Sequence, residues 1–218
     1  MNTCLNTKKH NTNGRLITFC GLDGCGKSTM MKMLTEHLET RGCDVFLTKQ
    51  PTEMIRKSDI FRTYMDKEDH SNYEYRALSL MAAADRVQHV NQVIIPALKE
   101  GKTVICDRYF YSCLANLRAR GYMEDRWIYE IAEKEIIRPD FSFFLDLPVK
   151  VAVNRVRLRP DEQDRYIDME LQYKLRDEYR RICLENDGVL ITSHQSPQET
   201  FEKILNSIKN NSGGLYNG

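Results

Sequence analysis

Residues 21–29 carry groups that could hold a chain of phosphates. They read Gly21-Leu22-Asp23-Gly24-Cys25-Gly26-Lys27-Ser28-Thr29 and fit the pattern G-x-x-x-x-G-K-[ST]. Glycines let successive backbone N–H groups turn towards an anion, and Lys27 adds a mobile positive charge. The Ser28 hydroxyl is a ligand of the type that Mg²⁺ accepts. The motif therefore predicts a site for a polyphosphate together with a magnesium ion.

The segments on either side of this loop fit the arrangement that such chemistry needs. Leu16–Cys20 is a short apolar run typical of a buried strand, and Met30, Leu34 and Leu38 recur at helical spacing. A helix that begins at the loop directs the positive end of its dipole at the phosphates. A glycine-rich turn that matches by chance is the alternative, and the correct flanks argue against it.

A second polar group follows another apolar run, where the chain reads Asp107-Arg108-Tyr109. An acidic residue at the end of a strand beside the phosphate loop can hold Mg²⁺ directly or through water, so Asp107 is a candidate metal ligand. Arg108 is suited to a bidentate contact with a phosphate. An Asp–Arg pair that only caps the next helix is the alternative. The position after a buried strand favours the functional interpretation.

A third candidate is Arg56, which lies a few residues after the run Val45–Thr48. Pro51 predicts a turn, and Arg56 is then expected in the first part of a helix. Arg56 and Arg108 could together hold a second phosphate opposite the loop. A solvated helix arginine is equally compatible with this segment alone.

Residues 155–168 contain an arginine cluster that could form a small lid. Arg155, Arg157 and Arg159 precede Pro160, and Arg165 follows a group of acidic residues. The phosphate loop has no arginine at positions 22–25, so charge that develops during phosphoryl transfer must be met from elsewhere. A lid arginine could meet it, and a solvated charge run is the alternative.

Apolar runs and helical patterns alternate along the chain. This alternation predicts an α/β fold with a five-stranded parallel sheet flanked by helices in residues 14–208, between disordered tails at 1–13 and 209–218. The predicted strands are Leu16–Cys20, Val45–Thr48, Thr103–Cys106, Ser142–Asp146 and Val189–Thr192. The predicted helices are 27–41, 74–99, 124–137, 149–158, 168–186 and 197–210.

The composition narrows the function classes. The 218 residues contain 32 Lys and Arg against 31 Asp and Glu, and this balance argues against nucleic acid as a partner. No apolar run approaches the roughly 18 residues of a membrane span, and residues 1–13 lack the apolar core of a secretory signal. The 7 cysteines form no C-x-x-C pair, which predicts reduced thiols and a cytoplasmic protein.

Together these segments resemble the thymidylate kinases, nucleoside-monophosphate kinases that convert dTMP to dTDP. The resemblance runs from about Arg15 to about Leu205. It is carried, in chain order, by F-C-G-L-D-G-C-G-K-S-T, T-K-Q-P-T, A-A-D-R-V-Q-H, I-P-A-L-K-E-G-K-T-V-I-C-D-R-Y, R-P-D-F-S-F-F-L-D and I-T-S-H-Q-S-P. It implies a P-loop NTPase fold with a five-stranded parallel sheet and a small arginine-rich lid. It also implies ATP and Mg²⁺ as cofactors, small nucleotides as substrates and a homodimer.

The resemblance also implies roles for single residues. Asp23 would lie near the acceptor sugar and the metal, and Arg86 would face the acceptor base. Arg108 and Arg56 would hold the acceptor phosphate, with Tyr109 beside them as a further substrate contact. A lid arginine, from Arg155, Arg157, Arg159 or Arg165, would assist transfer, and Arg159 and Arg165 are the two selected as catalytic candidates. The loop 193–197 would pass the adenine of ATP.

The chain departs from the family pattern where the acceptor base is read. Ala82 stands in place of a phenylalanine that stacks on thymine, Cys113 in place of a polar residue that faces the base, and Asn116 in place of a tyrosine that helps to reject ribose. These positions leave three interpretations open. The chain could be a dTMP kinase with a relaxed pocket, a related kinase for another or modified nucleotide, or a non-catalytic nucleotide-binding switch.

Overall fold

Five parallel strands form the centre of the computed structural model, which describes residues 4–211 except the side chains of residues 125, 126 and 131. The strands are β1 Arg15–Cys20, β2 Val45–Lys49, β3 Thr103–Asp107, β4 Phe141–Asp146 and β5 Val189–Thr192. Their spatial order is β2-β3-β1-β4-β5, and every neighbouring pair is parallel. This confirms the predicted fold class, and each strand end lies within about one residue of its prediction.

Helices cover both faces of the sheet. All six residues of β4 are buried, and alternate residues of a strand point to opposite faces, so neither face of β4 meets solvent. The helices are α1 Lys27–Glu39, α2 Glu53–Arg56, α3 Asp59–Asp66, α4 Tyr75–His89, α5 Ile95–Lys99, α6 Phe110–Ala119, α7 Trp127–Ala132, α8 Val149–Arg157, α9 Met169–Glu185 and α10 Pro197–Asn211. Within residues 4–211, none of these helices has the length and apolarity that a membrane crossing requires.

Aromatic rings fill the centre of the core. The ring centroids of Phe19 on β1 and Phe143 on β4 lie 5.4 Å apart, and Phe141 stacks on Phe143 at 6.1 Å. Tyr111 of α6 contacts Phe144 at 5.4 Å on the next strand position. Aromatic pairs at these separations add stabilisation beyond the area they bury, so β1 and β4 are held firmly beside each other.

The observed helices differ from the predicted ones at three places: a missed helix, an interrupted helix and a helix broken into shorter turns. The sequence analysis missed α6, in which eight of ten residues are buried between α4 and α9. A helix that is apolar all round shows no amphipathic period, so the pattern gave no signal. The predicted helix 74–99 is interrupted by a π-helical turn at Val90–Ile94. The predicted helix 124–137 is helical only as α7, between 3₁₀ turns.

Residues 4–13 contact the folded domain, whereas the sequence analysis predicted a disordered tail over residues 1–13. Leu5 is buried, and its backbone N–H donates to Asn186 Oδ1 at 2.9 Å. Lys8 pairs with the backbone on either side of Ile137, and His10 bonds the Asp140 carboxylate at 3.0 Å. Residues 1–3 and 212–218 lie outside the described residues, and 209–211 form the end of α10.

Asn186 is expected to hold this N-terminal segment in place. Asn186→Ala should lower the free energy of unfolding by about 1–3 kcal/mol, because the buried N–H of Leu5 would lose its acceptor. It should also speed amide hydrogen exchange at Leu5 and Asn6. Urea denaturation and exchange mass spectrometry measure the two effects. Asn91→Ala is the control, since exposed Asn91 bonds only its own helix. Equal effects from both variants would contradict this role.

Candidate functional site

Two strand ends bring the predicted site residues to one edge of the sheet. Phe19 of β1 pairs in register with Asp107 of β3, so the phosphate loop after β1 lies beside the Asp107-Arg108 pair. The carboxyl edge of a parallel sheet is where such proteins bind ligands. A cavity of about 680 Å³ opens there. Its walls include the phosphate loop, both arginine candidates and part of the lid.

The phosphate loop wraps around its own lysine. Lys27 begins α1 and is buried, and its Nζ donates to the carbonyl oxygens of Gly21 at 3.2 Å and Leu22 at 2.9 Å. Gly24 has a φ of +81°, and a Cβ there would lie 2.2 Å from the carbonyl oxygen of Ala152. Six of the seven predicted loop residues line the cavity, namely Gly24, Cys25, Gly26, Lys27, Ser28 and Thr29. Gly21 does not, because it packs against Leu145.

Asp107 and Ser28 provide oxygen atoms that fit a magnesium ion. Both line the cavity, Ser28 is exposed to it, and Asp107 Oδ1 is buried with no hydrogen-bond partner. A buried carboxylate oxygen without a donor suits a cation. Among residues 4–211, no three His, Cys, Asp or Glu side chains are arranged as a metal cluster. Mg²⁺ commonly binds through one or two carboxylates plus substrate phosphates, so two protein ligands suffice.

Asp23 lies at the centre of a network of positive charge. Its carboxylate accepts from Arg108 Nη2 at 2.5 Å and faces Arg165 Nη2 at 3.4 Å. Burial by itself would raise the pKa of Asp23, but the charges of Arg108, Lys27 and Arg165 outweigh it and hold this pKa well below its usual range. Asp23 is therefore ionised at neutral pH and links the phosphate loop to β3 and to the lid.

Arg108 is held in an unusual backbone conformation. Its φ is +66°, a region that residues other than glycine seldom adopt, and its N–H donates to Phe19 O at 2.8 Å. Its Nη1 donates to Tyr179 Oη at 2.8 Å, and the Tyr179 hydroxyl donates to Ser112 Oγ. Such strain persists only where surrounding contacts impose it, and it clusters at functional sites. The sequence analysis missed Tyr179, because its spacing from Leu175 and Ile182 is that of a core residue.

Arg56 also reaches the cavity, although it ends its helix and does not begin it as predicted. Thr52 precedes α2 and is fixed by Asp85, whose Oδ2 accepts from the Thr52 N–H at 2.9 Å and whose Oδ1 accepts from the hydroxyl. The backbone N–H of Arg56 donates to Thr52 O at 3.0 Å. Asp85 on α4 thereby positions the short helix that carries Arg56.

Four of the residues assigned to the acceptor base and sugar line the cavity. They are Ala82, Arg86, Cys113 and Asn116. Arg86 is buried and donates to Ala82 O at 2.8 Å and to Tyr109 O at 3.5 Å. Tyr109 does not line the cavity, which corrects the prediction of a substrate contact. Its ring lies in the core with the hydroxyl bonded to Ile137 O, so only its backbone carbonyl touches the site, through Arg86.

The lid segment lies against the cavity after the end of α8. Arg155, Arg159 and Arg165 line it, whereas Arg157 does not. Arg159 pairs with Glu162 at 3.1 Å, and Arg165 pairs with the same carboxylate at 2.8 Å. Arg165 Nε also donates to Met65 O at 3.0 Å, so this side chain joins the lid to α3. Ser193, Gln195 and Pro197, from the loop 193–197, also line the cavity.

Arg120 is a further lining residue that the sequence analysis missed. It directly follows α6, one helical turn after Asn116 and two after Cys113. Recognising α6 as a helix would have found it, because the spacings of three and four residues put these side chains on one face.

Gly24 is expected to be essential to the shape of the loop. Gly24→Ala should weaken MgATP binding at least about 10-fold and cost about 1–3 kcal/mol of stability, because its Cβ would overlap the backbone of Ala152. Isothermal titration calorimetry and thermal unfolding measure the two effects. Gly42→Ala is the control, since Gly42 also has positive φ but its Cβ would meet open space. Wild-type affinity in Gly24→Ala would contradict the close approach.

Comparison with known proteins agrees with this geometry. The family model described as thymidylate kinase matches residues 19–204. A probable thymidylate kinase of Pyrococcus horikoshii is 42% identical over 205 residues, covering 93% of this chain and 99% of that protein. Another from Pyrococcus abyssi is 37% identical with the same coverage, and a thymidylate kinase of a Geobacillus strain is 32% identical over 89% of this chain and 96% of its own length. The chain belongs to the thymidylate kinase family of nucleoside-monophosphate kinases.

Proposed function

We propose that this chain transfers the γ-phosphoryl group of ATP to dTMP. The observation that carries the proposal is one cavity lined by two groups of residues suited to phosphates. The loop around Lys27 is one group, and Arg108 and Arg56 are the other. Both reactants are anions, so catalysis of this kind consists mainly of positioning them and offsetting their charge. The names of the relatives, which specify thymidylate kinases, support dTMP as the acceptor.

The donor side depends on residues of the loop and of β3. Backbone N–H groups of residues 24–29 and the Lys27 ammonium would hold the β- and γ-phosphates. Ser28 and Asp107 would hold Mg²⁺, which supplies charge neutralisation to the phosphates when it is bound. The unpartnered Oδ1 of Asp107 supports this assignment.

The acceptor side depends on two arginines. Arg108 would direct its guanidinium at the acceptor phosphate while Asp23 and Tyr179 keep it oriented. Arg56 would approach the same phosphate from α2. A general base is unnecessary, because a nucleoside monophosphate is already ionised near neutral pH.

The lid would complete the charge balance during transfer. Arg165 and Arg159 line the cavity, and Arg165 contacts both the Asp23 carboxylate and α3. Because the loop contains no arginine at residues 22–25, a cation from the lid is needed near the transferred group. This combination also argues against a non-catalytic switch, which requires neither a lid arginine nor an acceptor clamp. The homodimer stays a prediction, since it concerns contacts between two chains.

An acceptor panel tests the proposed reaction. Release of ADP from MgATP is measured with dTMP, dUMP, CMP, UMP, AMP, dGMP and thymidine. We expect the highest kcat/KM with dTMP. We expect no turnover with thymidine, because it has no phosphate group for Arg108 and Arg56 to bind. Turnover with another monophosphate but none with dTMP would contradict the assigned acceptor. No turnover with any acceptor, in protein that still binds ATP, would contradict the kinase assignment.

Arg108 is expected to be required for turnover but not for folding. Arg108→Met should lower kcat/KM for dTMP roughly 100- to 1000-fold, the loss typical of removing one charge-stabilising donor. Circular dichroism should show the wild-type fold, because Lys27 and Arg165 still face Asp23. Arg138→Met is the control, since exposed Arg138 pairs only with Asp187 at the surface. Near wild-type kinetics in folded Arg108→Met would remove Arg108 from the site.

A further inference from the structure

The base end of the cavity is the wall formed by α4 and α6, where the residues assigned to the acceptor base lie. This wall has an arginine near each of its two ends. Tyr75 at the start of α4 contacts Arg120, which follows the end of α6, and Arg86 near the end of α4 contacts Tyr109 at the start of α6. The two helices therefore run antiparallel along this wall. Arg86 lies towards the sheet, and Arg120 lies about three helical turns further out. The sequence analysis assigned Arg86 to the acceptor base, whereas Arg120 has no assigned role.

Arg120 is held between aromatic rings and has no anionic partner. Its guanidinium carbon lies 4.6 Å from the ring centroid of Tyr75 and 5.1 Å from that of Tyr64. The two rings meet edge to face at 5.0 Å. No ion pair joins Arg120 to a carboxylate among the side chains that the structure describes, and its Nε is buried without an acceptor. Tyrosine faces stabilise a guanidinium by cation–π attraction, but they do not satisfy its N–H groups.

An unsatisfied arginine donor at a cavity wall indicates a missing acceptor. Nearly all buried polar groups in native proteins are hydrogen-bonded. The donors and acceptors of charged side chains are the most costly to leave unpaired. Three other arginines that line this cavity differ from Arg120, since Arg108 and Arg165 share Asp23, and Arg159 pairs with Glu162. Arg120 is positioned by its tyrosines to donate to something that enters the cavity.

The wall between Arg86 and Arg120 includes small side chains. Ala82 and Cys113 lie on the facing sides of α4 and α6, and both are largely buried. Ala82 stands where the family pattern has a phenylalanine, so the wall provides a methyl group where a stacked ring would fill the pocket. The pocket therefore has more room than it would have with a phenylalanine at position 82. It also contains a hydrogen-bond donor, Arg120, that lacks an acceptor.

We propose that the base end of the acceptor site contains a subsite for an oxygen-bearing or negatively charged group on the pyrimidine ring, with Arg120 as its donor. The ligand class is a pyrimidine nucleoside monophosphate that carries such a group in place of the thymine methyl. The planar guanidinium can meet a carboxylate with two parallel hydrogen bonds, and the tyrosines fix its plane. This proposal rests on the proposed function, because it assumes that the acceptor nucleotide enters this end of the cavity.

Binding of a matched pair of nucleotides tests the subsite. The probes are dTMP and 5-carboxy-2′-deoxyuridine monophosphate, which differ only in a methyl or a carboxylate on the ring. The quantity compared is the Kd of dTMP divided by the Kd of the carboxylate, measured by isothermal titration calorimetry. Arg120→Met should lower this ratio about 10- to 100-fold, the range for a hydrogen bond between charged groups. Arg120→Lys should give an intermediate ratio, because it keeps the charge without the planar fork.

Two further variants separate the subsite from general effects of charge and packing. Arg138→Met removes a surface charge away from the cavity and should leave the ratio unchanged. Ala82→Phe adds a ring to the wall between Arg86 and Arg120 and should lower the ratio while it preserves or improves dTMP binding. The ratio compares two ligands on the same protein. A smaller folded fraction would change both Kd values by the same factor and would leave the ratio unchanged.

The outcomes distinguish failure of the subsite from failure of the proposed function. An equal ratio in wild type, Arg120→Met and Ala82→Phe, with dTMP still phosphorylated, would overturn the subsite and leave the kinase assignment intact. Arg120 would then serve only to pack α3, α4 and α6 together. Absence of dTMP turnover and of binding by either nucleotide in the wild type would overturn both.

Discussion

The carboxylate of Asp23 is the interaction on which the site depends. It belongs to the phosphate loop, and it binds Arg108 from the end of β3 and faces Arg165 from the lid. Three segments that are far apart in sequence therefore meet at one negative charge. The surrounding cations keep this carboxyl ionised against the cost of burial. Without that charge, Lys27, Arg108 and Arg165 would repel one another across the cavity.

The sheet imposes the geometry that makes this meeting possible. β1 lies between β3 and β4, and its register with β3 brings the loop and the Asp107-Arg108 pair to the same edge. The backbone N–H of Arg108 donates to Phe19 O, so the pairing between β1 and β3 continues one residue beyond Asp107, to Arg108. The left-handed backbone of Arg108 is thus held by strand pairing on one side and by Tyr179 of α9 on the other. The strain gives a fixed direction to the side chain that would receive the acceptor phosphate.

Charge is distributed unevenly along the cavity. Near the loop, Arg108 and Arg165 pair with Asp23, and Arg165 and Arg159 pair with Glu162. At the base end, Arg86 is satisfied by carbonyl oxygens, whereas Arg120 rests on tyrosine rings with its Nε unpartnered. Arg120 therefore differs from the paired arginines near the loop, because it presents a donor without an acceptor at the cavity wall.

The sequence alone determined the strands and the phosphate-loop motif, and it singled out Asp107 and Arg108 as candidate site residues. Those features depend on neighbours within a few positions, such as the apolar run Thr103–Cys106 followed by an acid and an arginine. The sequence could not determine that Tyr109 turns into the core, that α6 is buried, or which lid arginine meets Asp23. These outcomes depend on which distant segments pack together. Tyr179 touches Arg108 only because α9 lies against α6, and Arg120 reaches the cavity only because α6 lies against α4. Contacts between segments so far apart leave no periodic pattern in the chain, so only the tertiary structure decided them.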